Sequence, residues 1–212
     1  MIKNISENIL HQVPPDYYQK GIKNNLLQRI WHTNKLKNVL ALINDHPNSI
    51  LDVGCASGWF LAQMSKRFPK AKCTGVDAYS QAIIYGRKKY KSIRLIESDA
   101  HNLPFADDSF DLIVCTEVLE HVLNPKGVLG EMLRVLKKQG TAIIEMDTGN
   151  LLFNTVWYVW TNLKGKVWKD AHVHKFNSLK LEKMIEASGF ILGKKKIFNF
   201  GMAVAFYAKK KT

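Results

Sequence analysis

The chain has 212 residues, 46% hydrophobic and 23% charged, with 31 Lys and Arg against 18 Asp and Glu for a formal net charge of +13. That size and composition suit one globular domain with a real core. The charge favours polyanions or anionic membrane surfaces but is spread thinly over Lys35 and Lys37, Lys66–Lys72, Arg87–Lys91, Lys194–Lys196 and Lys209–Lys211, so solvated lysine faces explain it as well. Cys55, Cys73 and Cys115 form no CxxC pair and sit in or beside apolar runs, as buried thiols in a reducing cytoplasm would. Neither a signal peptide nor a membrane span is legible: Leu151–Leu163, the most apolar later stretch, is too short.

Ile22, Leu26, Leu27, Ile30, Leu36, Val39, Leu40 and Ile43 recur at helical spacing, which predicts one helix over residues 16–44 within an N-terminal helical cap, 1–46. Short apolar runs then alternate with amphipathic segments. Strands are expected at Ser49–Val53, Lys72–Val76, Ile93–Glu97, Phe110–Cys115 and Thr141–Met146. Helices are expected at Trp59–Phe68, Ser80–Lys88 and Pro125–Lys138, the last capped by Asn124 and stopped by Gly140. This rhythm implies right-handed crossovers and a doubly wound, mostly parallel α/β sheet with helices on both faces. After a helix at Ser178–Ala187, the runs Phe190–Phe198 and Met202–Ala208 are separated by three residues. That is too few for a parallel crossover and makes them an antiparallel hairpin.

The first strand runs into Asp52-Val53-Gly54-Cys55-Ala56-Ser57-Gly58 and then a helix. A glycine-bearing strand-to-helix turn lets a ligand approach the backbone and the free N–H groups of the helix start. The pattern is DxGxxxG, not the GxGxxG of dinucleotide sites, and its acid suits an ammonium or sulfonium better than a pyrophosphate. On this reading Gly54→Val blocks the ligand and leaves the sheet folded. Asp77 ends the second strand, where a carboxylate can accept from ribose hydroxyls, and Asp99 ends the third, within reach of an adenine amine. The fourth strand opens into Thr116-Glu117-Val118-Leu119-Glu120-His121 at the carboxyl edge.

With these motifs in view the chain resembles class I S-adenosylmethionine-dependent methyltransferases, most closely the ubiquinone/menaquinone-biosynthesis-like (type 11) subgroup. The likeness rests on ILDVGCASGWF (50–60), GVDAYS (75–80), ESDAHNLPFADDSFDLIVCTEVLEHV (97–122) and PKGVLGEMLRVLKKQGTAIIE (125–145), with a weaker echo at 172–190. It implies a single domain over 1–212 with sheet order 3-2-1-4-5-7-6 and strand 7 antiparallel. S-adenosylmethionine is the implied cofactor. Asp52, Gly54, Ala56 and Gly58 would surround its methionine end, Asp77 and Ala78 the ribose, Asp99 and Ala100 the adenine, and the Thr116 carbonyl the sulfonium region. Ala56 stands where many members carry glycine.

The acceptor side is thinner. Methyl transfer from a sulfonium is driven largely by alignment, and a base is needed only if the acceptor must lose a proton. Candidates are Glu117, His121, Asp147, His172 and His174; the last two alternate along the chain, so one at most points inward. The HxH pair hints at metal, yet linear spacing offers no further ligand, and no metal is expected. Residues 149–177 hold Trp157, Trp160 and Trp168. They form either a helix completing the core or a lid and acceptor pocket resting on an anionic membrane surface. The expected function is methylation of a small acceptor, apolar or lipid-like. The alternatives are a non-catalytic cofactor-binding module and a nucleic-acid or protein acceptor. No nucleic-acid contact is expected, because the Asn-Pro-Pro-aromatic signature is missing after the fourth strand and no base-reading surface is evident.

Overall fold

A computed structural model describes residues 12–169 and 171–211. In chain order the elements are α1 (Tyr17–Asn24), α2 (Leu26–Leu40), β1 (Ser49–Val53), α3 (Trp59–Arg67), β2 (Lys72–Asp77), α4 (Ser80–Lys89), β3 (Arg94–Glu97) and β4 (Phe110–Thr116). Then follow α5 (Pro125–Val135), β5 (Leu136–Asp147), α6 (Leu151–Leu163), a 3-10 turn (Lys166–Trp168), α7 (Ser178–Ala187), β6 (Phe190–Phe198) and β7 (Ala203–Lys210). The seven strands lie in the order β3-β2-β1-β4-β5-β7-β6, as the resemblance implies. β1 to β5 pair in parallel, and β7 runs antiparallel to both β5 and β6.

Alternation along the strands divides the core into two layers. Leu51 and Val53, Ile113 and Cys115, and Ala142 and Ile144 face one way and pack with Leu129 and Met132 of α5 and Leu181 and Ile185 of α7. Ile50, Leu112, Val114 and Ile143 face the other way, onto Val39 of α2, Leu61 and Met64 of α3 and Ile83 of α4. Helices thus cover both faces. The β6–β7 hairpin turns through Asn199, Phe200 and Gly201, all at positive φ, which accounts for so short a connection.

Two expected elements differ. The helix read over 16–44 is two helices, because Asn25 is extended (φ −127°, ψ 116°) and its side chain accepts from the Leu27 and Gln28 amides, capping α2. The helix read to Lys138 ends at Val135. Leu136 pairs with Phe110 and Lys137 reaches Asp111 at 2.8 Å, so Leu136–Gly140 extends β5 rather than closing α5, and Gly140 is no helix stop. Asn124 and Pro125 do begin α5, with Asn124 Oδ1 accepting from the Gly127 amide at 3.1 Å.

Candidate active site at the carboxyl edge of the sheet

The register sets Val53 beside both Val76 and Cys115, and Thr116 beside Glu145. The carboxyl ends of β1, β2, β4 and β5 therefore converge on one edge, where open α/β sheets bind ligands. The β1–α3 turn is tied to β2: the Gly54 and Cys55 amides donate to the Val76 carbonyl, at 2.9 and 3.0 Å. Asp77 completes that tie, accepting from the Ala56 amide (2.7 Å) and the Tyr79 amide (2.8 Å).

The turn lines a cleft with Asp52, Gly54, Ala56, Ser57, Thr116 and Glu117 along its walls. Asp52 is only 2% exposed, and its Oδ2 has no protein partner. Burial pushes its carboxyl up to about 8, against the pull of Lys35. A buried acid with a free oxygen in a backbone cradle is the chemistry that an ammonium-bearing methionine end requires, so these residues fit S-adenosylmethionine. Asp77 stands at the end of β2 with Ala78 exposed beside it. Asp99 lies on the outer rim, where its Oδ1 accepts from the His101 amide and meets the His101 ring at 2.7 Å. Ala100 is half-buried next to it.

Gly54 has φ +75°, and a Cβ there would overlap the Val118 side chain. A side chain at Gly54 thus collides with the protein itself, which corrects the expectation that Gly54→Val blocks only the ligand. Ala56 keeps the loop path at φ 46°, a left-handed value that glycine adopts without strain.

The N-terminal helices close over this edge. Gln19 of α1 donates to Ser57 Oγ at 2.7 Å. From α2, Trp31 Nε1 and Lys35 Nζ each donate to one oxygen of Glu117 at 2.8 Å. Burial alone would raise the Glu117 carboxyl, but Lys35, and to a lesser degree the neighbouring His32 and Trp31, hold it well below the ordinary range. Both Glu117 oxygens are therefore engaged as hydrogen-bond acceptors.

Beyond Glu117 lies a second cavity of about 190 Å³, which shares Tyr18, His32 and Glu117 with the cofactor cleft. Its walls are aromatic: Trp31, Phe153, Trp157, Trp160 and Trp168. Phe153, Val156, Trp157 and Trp160 all reach it from one face of α6, which Asn150 caps by accepting from the Phe153 amide at 2.7 Å. α6 buries only Phe153 and Thr161. At the cavity's polar end are Glu120, His121, Asp147 and His172. His121 Nδ1 lies 2.8 Å from the Ala171 carbonyl, and its ring is 5.0 Å from that of His172. Burial lowers the His121 imidazole and takes that of His172 down to about 3. His174 turns away, half-buried, toward the Leu123 carbonyl. Glu120, which sequence reasoning passed over in favour of Glu117, is 2% exposed and leaves Oε2 without a protein partner. Its adjacency to His121 was the available signal.

The chain is similar to known methyltransferases. Residues 51–144 match a family described as "Methyltransferase domain". A demethylmenaquinone methyltransferase of Thermotoga maritima is 34% identical over 127 residues, which cover 58% of this chain and 56% of that protein. A ubiquinone/menaquinone biosynthesis C-methyltransferase of Campylobacter jejuni is 22% identical over 203 residues, 85% of this chain and 86% of that one. The chain thus spans just over half of the first relative and most of the second. Among solved structures, an S-adenosylmethionine-dependent methyltransferase of Thermotoga maritima superposes with TM-score 0.73 over 100% of both chains at 21% identity.

Proposed function

We propose that this chain, which has the S-adenosylmethionine-dependent methyltransferase fold and a methyltransferase domain at residues 51–144, methylates a small apolar, lipid-like acceptor held in the aromatic cavity. The observation that carries this reading is the junction of two spaces. The cofactor cleft and the cavity share Tyr18, His32 and Glu117, so ligands in both would meet at that wall. When bound, S-adenosylmethionine supplies a methyl group on an activated sulfonium. Asp52 holds the methionine ammonium, Asp77 the ribose, and Asp99 with Ala100 the adenine. Trp31 and Lys35 keep Glu117 ionised and fixed, so it orients the wall between the two spaces. Trp157 and Trp160 clamp the apolar body of the acceptor and exclude water, and His121 and His172 meet its polar end.

The cavity continues into a surface groove lined by Leu26, Leu27, Val156, Val159, Trp160 and Leu163, a path for an apolar tail. Around the groove, Leu151 (84% exposed), Leu27 (71%) and Tyr158 (70%) offer a greasy face, with exposed Lys23, Lys164, Lys166 and Lys169 nearby in the chain. Such a face rests on an anionic membrane surface while the acceptor enters. No helix among the described residues is long and apolar enough to cross a membrane. The buried, unpaired Cys55, Cys73 and Cys115 fit a reducing compartment, which supports the reading that the membrane contact is on a cytoplasmic face.

The test is incubation with methyl-tritiated S-adenosylmethionine and, separately, lipid extract, RNA and protein. Label should enter the organic phase, and Trp157→Ala/Trp160→Ala should lose that transfer while still binding S-adenosylhomocysteine. Label in RNA or protein alone would move the acceptor to another class.

A further inference from the structure

We propose that Glu120, His121 and His172 form a binding site for one divalent transition-metal ion at the polar end of the aromatic cavity. One oxygen of Glu120 and one ring nitrogen from each histidine lie within 4.8 Å of one another. With metal–ligand bonds of about 2.0–2.2 Å in a tetrahedral sphere, donors on one ion stand roughly 3.3–3.6 Å apart. The widest pair of the set therefore has to close by up to about 1.5 Å, which side-chain rotations on binding supply.

Three independent details mark this as a built site. The first is the tautomer: His121 Nδ1 lies 2.8 Å from the Ala171 carbonyl, which makes it the protonated nitrogen. The lone pair then falls on Nε2, which faces Glu120 Oε1 at 3.9 Å. An outer carbonyl fixing the ring in this way is the usual support of a metal-binding imidazole. The second detail is the orphaned Glu120 Oε2, buried and without a protein partner, a costly arrangement unless something charged meets it. The third is how the loop bearing His172 is held. The Val173 and His174 amides both donate to the Glu120 carbonyl, at 2.9 and 3.1 Å, and the His172 ring stacks on Trp157 at 4.5 Å.

Two imidazoles and a carboxylate suit zinc, cobalt or iron better than magnesium or calcium, and three protein ligands leave coordination positions open. Asp147 Oδ2, 3.9 Å from His172 Nδ1, can orient that ring or add a fourth ligand. The open positions face the cavity, so an oxygen donor on the acceptor, a phenol, enol or vicinal diol, completes the sphere. This last step rests on the methyl-transfer reading; the metal site does not.

The test is titration of tag-free, chelator-stripped protein with Co²⁺ and Zn²⁺, following visible absorption and heat. One ion per chain should bind at low micromolar concentration or tighter. Glu120→Gln, His121→Ala and His172→Ala should each weaken binding at least about tenfold, while His174→Ala, on the outward-facing histidine, should not. All four should still bind S-adenosylhomocysteine, so a lost metal site and a mistaken cofactor remain distinguishable. If stripped wild-type protein takes up neither ion, the proposal fails whatever the variants do. Equal loss in His174→Ala and His172→Ala would overturn it too.

Discussion

At Ala56 the backbone holds a left-handed φ of 46° within the loop that Asp77 anchors through the Ala56 amide. An L-residue there carries about 1–2 kcal/mol of strain, partly offset by the greater entropy that glycine loses on folding, about 0.5–1 kcal/mol. Ala56→Gly should therefore stabilise the protein by about 0.5 kcal/mol, seen as a higher urea midpoint with unchanged slope. A lower midpoint would mean that the Ala56 methyl packs more than it strains. Asp52 gives a pH dependence. Burial holds its carboxyl near 8, so it is protonated below that pH, and a raised acid of this kind costs folding stability as pH climbs toward 8. An ammonium ligand prefers the ionised carboxylate. Affinity for S-adenosylhomocysteine should therefore rise between pH 6 and 8, by up to about tenfold per unit, and level off above. Asp52→Asn should flatten that slope, and a flat profile in wild type would remove Asp52 from the ammonium site.

Among the elements, α2 is the one on which the site leans. Its Lys35 side chain is 6% exposed and pairs with Glu117 at 2.8 Å. Removing one member of such a buried pair strands the other, at about 3 kcal/mol. Lys35→Ala should cost that much, and adding Glu117→Gln should restore part of it; an additive double variant would show that the pair is not coupled. Glu117 is held low, so its share of stability is present above the ordinary carboxylate value of 4.5 and is lost as pH falls below it. The β6–β7 hairpin and the Asp52, Gly54, Gly58 and Asp77 series were legible because each is a local pattern tied to a strand end, whereas the strand order came only through the resemblance to the methyltransferase family. The break at Asn25 was not, since an asparagine on the polar stripe of a periodic run looks like any surface position. The end of α5 was hidden for a different reason: Lys137-Lys138-Gln139-Gly140 reads as a helix stop, and only the long-range pairing of Leu136 with Phe110 makes it strand. His172 stands about fifty residues from the adjacent Glu120 and His121, and the Ala171–Val173 contacts that join it to them exist only in the fold.

Over the whole molecule, the net charge of +13 and the exposed apolar face of α6 and α2 act together. Their attraction to an anionic bilayer should fade with salt, since screening sets in within about 10 Å at 0.1 M. Co-sedimentation should show binding to anionic but not neutral vesicles at low salt, and Leu151→Ser/Tyr158→Ser, both on the exposed side of α6, should bind less while staying folded. Equal binding to neutral vesicles would take the charge out of the account. Beneath these surface properties lies the cofactor cleft, on which methyl transfer depends. It is probed most directly by calorimetric titration with S-adenosylhomocysteine in the presence and absence of excess NAD. The account predicts one cofactor per chain, no competition from NAD, and a loss of about 1.5–3 kcal/mol of binding free energy in Asp77→Ala, the scale for charged hydrogen bonds. Tight NAD binding with none of S-adenosylhomocysteine would contradict it.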